Sequence, residues 1–251
     1  LIYGPTASGK SKFAIKLAKK ISGQIINADS MQVYKDLKIL TARPFKKDQQ
    51  EIKHHLYGFQ IAKKNFSTGD WLKLVKQKIS QCKKIKKTPI LVGGTGLYFK
   101  ALTEGLVNIP KIPINFRNKV RNYHKRIGQK KFFQKLLQID PLIKDQINSL
   151  DTQRSIRAYE IKSFTKKSMI NWFKNTKSDY SHNDFFKICI DFPRKDLIER
   201  INQRSENMIK LGAILEVKKF IKLRVPKNKS LSKAIGISEI KQYLQKKIQT
   251  E

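Results

Sequence analysis

The sequence predicts an α/β fold, a parallel-sheet core interrupted by a helical insert domain. Three observations predict it. Short apolar runs alternate with amphipathic helical patterns, which is the signature of parallel βαβ units. A glycine loop, Gly4 to Ser11, stands between the first apolar run and the first helical pattern. After Asn108-Ile109-Pro110-Lys111-Ile112-Pro113 the strand signals stop, and helical patterns alone continue to about Ser181. The core is therefore expected at residues 1–110 and 186–251, with the insert at 111–185.

Each element has its own reason. Leu1-Ile2-Tyr3 is a short apolar strand entering the glycine loop. From Ser11 to Ile21, residues Phe13, Ala14, Leu17, Ala18 and Ile21 share one helical face. Gln24 to Asn27 reads as a second strand, closed by Ala28-Asp29-Ser30. Ser67-Thr68-Gly69-Asp70 starts a helix carrying Trp71, Val75, Ile79 and Cys82 at spacings of four and three. Pro89 to Val92 is a buried strand running into Gly93-Gly94. In the insert, Phe132, Phe133, Leu136 and Leu137, then Ile156, Tyr159 and Ile161, mark helices. A strand over Phe185 to Ile190 follows, then helices from Asp196 and over Ala213 to Leu223. The lysine pairs Lys83-Lys84 and Lys86-Lys87 are expected on solvated helix faces.

Composition narrows the function classes. The 251 residues carry 54 Lys and Arg against 19 Asp and Glu, a formal net charge of +35. Such a field draws polyanions, so nucleic acid is the leading partner class. Only ten of the basic residues are Arg, and the excess is spread along the chain, as a Lys-rich coding bias would also give. At 39% hydrophobic and 10% aromatic residues, wholesale disorder is excluded. No run of 18 apolar residues occurs, so a membrane-spanning helix and a membrane partner are not expected. Cys82 and Cys189 are too few for a disulfide framework, and with no signal-peptide pattern at Leu1 the expected location is cytoplasmic.

Gly4-Pro5-Thr6-Ala7-Ser8-Gly9-Lys10-Ser11 matches the P-loop pattern between a strand and a helix, which makes the core P-loop NTPase-like. Its glycines let backbone N–H groups converge on phosphate at a helix N-terminus. Lys10 is placed for the outermost phosphate oxygens and the Ser11 hydroxyl for Mg²⁺, the arrangement of ATP-binding loops. The usual ATPase carboxylate at the end of a strand is missing, because Pro89–Val92 ends in Gly93-Gly94-Thr95. Asp29 instead closes the second strand, at the edge where ligands gather in open α/β sheets. A carboxylate there serves either as a general base or as the cap of the next segment. Gln153 and Arg157 share a helix face, free to reach RNA or, for Arg157, to bridge Glu160. His54, His55, His124 and His182 do not suggest a metal site, and Tyr34 and Tyr98 read as either pocket wall or packing.

Together these residues resemble the tRNA dimethylallyltransferases. The ordered set is Gly4 to Ser11, Asp29-Ser-Met-Gln-Val-Tyr34, Thr41-Ala-Arg-Pro44, His54-His55-Leu56 and Val92-Gly-Gly-Thr-Gly-Leu-Tyr98. It continues through Asp151-Thr-Gln-Arg-Ser-Ile-Arg-Ala158, Arg200-Ile-Asn-Gln-Arg204, Met208 and Ala234-Ile-Gly236. The resemblance implies transfer of a dimethylallyl group from dimethylallyl diphosphate to N6 of the adenosine 3′ to the anticodon of tRNA, position 37. It implies Asp29 as general base, Gly4, Pro5, Thr6, Ala7, Ser8, Gly9, Lys10 and Ser11 around the diphosphate, and Lys10 and Arg204 against its growing charge. It further implies contacts to the tRNA anticodon stem-loop from Asp29, Ser30, Met31, Gln32, Thr95, Arg117, Gln153, Arg154, Ser155, Ile156 and Arg157. Mg²⁺ on Ser11 is the implied cofactor, with no protein partner and a monomeric chain. The chain departs from the family at Tyr57-Gly58, where an Asp commonly follows His-His-Leu, and at Ile237, where a tyrosine is usual. A basic, Trp-containing stretch is expected to follow Glu251 in a longer molecule. The rival readings are a small-molecule P-loop kinase, isoprenyl transfer to a free adenine nucleotide, and a catalytically idle tRNA-binding protein.

Overall fold

A computed structural model describes residues 1–174 and 176–245. Residues 246–251, the last of the expected core, lie outside the described residues. The chain divides into two compact units, residues 1–102 with 181–251 and residues 103–180.

In the first unit, β1 (Ile2–Tyr3), α1 (Lys10–Lys20), β2 (Gly23–Asn27), α2 (Lys46–Glu51), β3 (His54–His55), α3 (Thr68–Lys84), β4 (Thr88–Val92) and α4 (Gly96–Thr103) follow in order. All strands of the sheet are parallel, in the order β3-β2-β4-β1-β5, with β5 at Ile188–Cys189. Register pairs Ile25 with Ile90 and Asn27 with Val92, so β2 and β4 end level with each other. Parallel strands bring every carboxyl end to one edge of the sheet, and the loops after β1, β2 and β4 meet there.

β2 buries Ile25, Ile26 and Asn27 in succession, as a strand covered on both faces must. Ile2, Ile25, Ile90 and Val92 pack with Ala14 and Ala18 of α1. Small residues at these two helix positions let α1 lie close to the sheet. Phe13 and Ile21, expected on that buried face, are instead exposed, while Ile15 and Leu17 flank the alanines and pack against the same core. α3 begins as the sequence predicts. Ser67 accepts from Asp70 N, and the Asp70 carboxylate accepts from Ser67 N at 2.9 Å, a reciprocal cap.

The unit closes with α8 (Arg194–Lys210), α9 (Ala213–Lys222) and α10 (Ile237–Leu244) after the second unit's helices α5 to α7. Val217, Phe220 and Ile237 form a second core with Val33, Tyr34 and Leu37. Two local expectations change. β5 is shorter than Phe185–Ile190, since only Ile188 and Cys189 pair with β1. Lys86 and Lys87 are solvated but lie past the end of α3, where Lys86 takes φ +52° in the turn into β4.

The second unit comprises α5 (Ile114–Ile139), broken at Gly128, α6 (Thr152–Thr165) and α7 (Met169–Lys174). Phe133, Leu136, Ile143, Ala158, Ile161 and Met169 form its own core. No strand occurs among its described residues.

Candidate functional site

The glycine loop folds as its motif requires. Gly9 takes φ +90° at the N-cap of α1, a left-handed conformation that a side chain would oppose. The first N–H groups of α1 follow it with no intrahelical acceptor, and no acidic residue lies in that first turn. This is an anion cradle. Lys10 Nζ donates to the Pro5 carbonyl, so the lysine lies across its own loop. Ser8 is buried and its hydroxyl finds no partner. Thr6 and the Ser11 hydroxyl face the opening.

Asp29 is held from three sides. Asn27, fully buried at the end of β2, accepts from Asp29 N at 2.9 Å and donates to Asp29 O at 2.9 Å. The same amide donates to Leu56 O at 3.0 Å. The Asn27 carbonyl in turn accepts from the Trp71 indole at 2.8 Å. One oxygen of Asp29, Oδ1, accepts from Met31 N at 2.8 Å and Gln32 N at 3.4 Å. The capping reading of Asp29 is seen in this turn, and the same carboxylate also borders the cleft. Gly93 passes against this corner, and a Cβ on it would come within 2.0 Å of the Ala28 carbonyl.

A cleft of about 760 Å³ opens over this edge. Lys10, Ser11, Asp29, Tyr57, Gly93, Arg200, Arg204 and Met208 line it, so five stretches remote in sequence converge on one space. Burial pulls the Lys10 ammonium below its ordinary pKa, while Asp29 pushes it up and Arg204 lowers it again. Arg204 is likewise lowered by burial and supported by Asp29. Burial, with Asp29 adding to it, pushes the Tyr57 phenol well above its usual range, so it stays protonated. Cations outnumber carboxylates around this space, with Lys10 and Arg204 the two that feel Asp29.

A clamp that sequence motifs do not mark shapes one wall. The Glu216 carboxylate of α9 accepts from the N–H groups of Lys38, Ile39 and Leu40 at 2.7 to 3.1 Å. It fixes the loop that carries Thr41-Ala-Arg-Pro44 along the cleft. Gln32 adds a second tie, donating to the carbonyls of Thr41 and Ala42 at 2.9 and 3.1 Å.

The other expected contact residues are placed as follows. Thr95 Oγ1 accepts from Ser30 N at 2.9 Å, joining the ends of β2 and β4. Met31 packs against the second core. In the second unit, Gln153 and Arg154 are exposed on α6, Arg154 with an ion pair of 3.5 Å to Asp151, and Ile156 is half-buried. Ser155 is a correction. It is fully buried, its hydroxyl donates to Asp151 O at 2.7 Å and accepts from Gln129, and its side chain offers a ligand nothing. Arg117 and Arg157 are brought together on Glu160, at 3.1 and 3.3 Å.

The histidines and tyrosines of uncertain role resolve into structure. His54 and His55 form β3, the edge strand, with His54 Nδ1 at 2.6 Å from Ile52 O and His55 Nε2 at 2.7 Å from Gln24 Oε1. Burial first, then Lys78, Lys53 and His54, lower the His55 pKa to about 4. Tyr34 and Tyr98 are interior packing, Tyr98 stacked on Trp71 at 4.3 Å. At the departure Tyr57-Gly58, the Arg43 guanidinium lies over Gly58, 1.5 Å from where a Cβ would stand.

Among the described residues no three His, Cys, Asp or Glu side chains come together as metal ligands. Mg²⁺ keeps several waters and takes one or two protein oxygens plus phosphate. The Ser11 hydroxyl, lining the cleft next to Lys10, fits that requirement.

With this geometry in place, comparison with known proteins gives one answer. A family profile described as IPP transferase matches residues 32–251. A tRNA dimethylallyltransferase of Pelagibacter ubique is 61% identical over 99% of this chain and 79% of its own length. One from Rickettsia massiliae is 44% identical over 97% of this chain and 68% of its own. Among solved structures, a eukaryotic dimethylallyltransferase acting on tRNA superposes with a TM-score of 0.85 at 26% identity. That match covers 98% of this chain, which spans 63% of the eukaryotic one. The tRNA isopentenylpyrophosphate transferase of Bacillus halodurans gives 0.64 at 30% identity, covering 98% and 77%.

Proposed function

This chain belongs to the IPP transferase family, and on that premise we propose that it transfers a dimethylallyl group from dimethylallyl diphosphate to N6 of the adenosine 3′ to the anticodon of tRNA, position 37. The observation that carries the reading is the convergence of Lys10, Asp29 and Arg204 on one cleft beside an anion cradle.

The reaction breaks the C1–O bond of the donor and forms a C1–N6 bond. The amine proton goes to the Asp29 carboxylate, and diphosphate leaves with the electron pair of the broken bond. An adenine amine is a weak nucleophile because its lone pair is delocalised into the ring. Proton removal as the bond forms contributes about 10²–10⁴-fold. Asp29 suits this work because Asn27 and the turn N–H groups fix its direction. Lys10, Arg204 and the N–H groups at the start of α1 meet the charge that grows on the leaving diphosphate. Ser11 would hold Mg²⁺, which supplies further neutralisation of that charge when bound. Tyr57, kept protonated, forms a neutral wall beside the base. The target base leaves its stack to enter the cleft, at a cost of a few kcal/mol. Asp29 to Gln32, Thr95, Arg117 and Gln153 to Arg157 are the tRNA-facing stretches in this reading, with Ser155 acting through its backbone fold alone. No described helix is long and apolar enough to cross a membrane, and we take the chain to act as a monomer in the cytoplasm.

The test is direct. Purified protein, Mg²⁺, dimethylallyl diphosphate and an anticodon stem-loop are incubated and the nucleosides read by mass spectrometry. One dimethylallyl group on adenosine, lost in Asp29→Ala, is the expected result. Modification of AMP in place of RNA, or phosphate transfer from ATP to a small acceptor, would overturn it.

A further inference from the structure

We infer that the Tyr57 hydroxyl donates a hydrogen bond to N1 of the target adenine while Asp29 accepts from its N6, which makes Tyr57 a residue that selects the acceptor base. The inference rests on the proposed transfer to adenosine and adds to it the group that reads the base.

Register places the two side chains on neighbouring segments. β2 and β3 run parallel with Ile26 level with His55, so Asp29 and Tyr57 both follow strands that end at the same edge of the sheet. The segments stay tied beyond that edge. Asn27 Nδ2 donates to Asp29 O at 2.9 Å and to Leu56 O at 3.0 Å, so one buried amide sets both. On the other side of Tyr57, Gly58 N donates to Gln32 O at 2.9 Å. Leu56 and Gly58, which flank Tyr57, take φ +63° and +58°. A leucine stays in that left-handed conformation only where its surroundings hold it, and such positions gather at functional sites. The Tyr57 ring is fixed as well, packed against the core of the sheet and edge-on to His54 at 5.6 Å.

Two polar atoms are left over. Asp29 Oδ1 accepts from Met31 N and Gln32 N, while Oδ2 accepts no hydrogen bond among the described residues. The Tyr57 hydroxyl makes none there either, yet it is not sealed from solvent. Both residues line the cleft. The turn thus presents one free acceptor and one free donor, each on a fixed backbone.

Adenine carries the complement. A base turned out of its stack is read along its Watson–Crick edge, where N6–H donates and N1 accepts. Guanine and hypoxanthine have an oxygen at position 6 and a hydrogen on N1, the reverse at both atoms. A base of that kind leaves both protein groups unpaired, which is where a hydrogen-bonding site discriminates most. The phenol is held to its donor role, because burial and the Asp29 carboxylate keep it protonated. Asp29 is also the charged neighbour that the phenol feels, which groups the hydroxyl with the base and not with the diphosphate.

A paired comparison tests this, in the kinetics of wild type and Tyr57→Phe on anticodon stem-loops carrying adenosine or 1-deazaadenosine as the acceptor. In the wild type, replacing N1 by C–H is expected to lower kcat/KM for RNA about three- to tenfold, the worth of one neutral hydrogen bond. Tyr57→Phe is expected to lose a similar factor on adenosine and nothing further on 1-deazaadenosine. A 1-deazaadenosine penalty that Tyr57→Phe leaves undiminished overturns the inference. So does a penalty for 7-deazaadenosine that Tyr57→Phe removes, which would move the contact to N7. A raised KM for dimethylallyl diphosphate in Tyr57→Phe, with the 1-deazaadenosine penalty intact, would assign the phenol to the leaving group and overturn it too. The hydroxyl bonds nothing in the folded chain, so Tyr57→Phe should keep the wild-type melting temperature. Should it unfold instead, the wild type decides alone, and the absence of a 1-deazaadenosine penalty overturns the inference. A wild type that modifies no stem-loop is the failure of the transferase reading, and this one falls with it; an active wild type with an undiminished penalty in Tyr57→Phe is the failure of this one only.

Discussion

The cleft of the first unit and the arginine cluster of the second gather positive charge in opposite ways. In the cleft, fixed backbone does most of the work. The N–H groups at the start of α1 form the cradle, Asp29's backbone is held by hydrogen bonds exchanged with Asn27, and its carboxylate accepts from its own turn. In the second unit no helix N-terminus or glycine loop is used, and one buried carboxylate organises three long side chains. Backbone geometry gives a position for chemistry, where an ångström matters. Side chains on a carboxylate give an adaptable grip, suited to a polyanion whose course varies.

The largest effect should come from Asp29→Ala, which on this account lowers turnover by about 10²–10⁴-fold. A smaller loss would move proton removal elsewhere and erase the distinction between the two regions. Arg204→Ala should follow, at about 10²–10³-fold in kcat, because it removes a cation facing the leaving group in a partly buried site. If it raised only the KM for RNA, Arg204 would belong with the gripping residues. Asn27→Ala sharpens the backbone argument. It strips partners from Asp29 N, Asp29 O and Leu56 O, and should cost about 1–3 kcal/mol in denaturant unfolding. The same change should lower turnover by up to about 10²-fold through misplacement of the base.

The smallest effect is on pH. His55 has a folded pKa of about 4 against an ordinary 6.5, from burial and its lysine neighbours. The unfolded chain therefore binds a proton more readily between those values. Its contribution to stability is complete above about pH 6.5 and lost as pH falls toward 4. His54, also lowered by burial, adds in the same direction. His55→Gln should flatten the dependence of melting temperature on pH over that window. An unchanged profile would place the acid sensitivity elsewhere.

The same contrast explains what could be read from the sequence. The phosphate loop, the strand ending at Asn27 and the Ser67–Asp70 cap are local patterns, and each is where its spacing predicts. Arg204 needed the family resemblance, since nothing in Arg200-Ile-Asn-Gln-Arg204 names the cleft it faces. The Arg157–Glu160 pair was legible as a spacing of three on one helix, but Asn27, Glu216 and the arrival of Arg117 and Arg121 at Glu160 left no signal that spacing could carry. Their partners are backbone groups or side chains far away in sequence, such as Glu216 with Lys38 N. β3 escaped because two adjacent histidines do not resemble a strand, and only pairing with β2 makes them one. Ser155 entered with the matched stretch Gln153 to Arg157, and a motif match does not show that the Gln129 side chain and the helix backbone cover that position.

The division between a cleft that performs chemistry and a helical unit that grips RNA is tested most directly by single-turnover kinetics of Asp29→Ala and Arg157→Ala over a range of RNA concentrations. The account predicts that Asp29→Ala loses rate at saturating RNA far more than it loses affinity, and that Arg157→Ala loses affinity more than rate. Equal losses in the same parameter for both variants would contradict it.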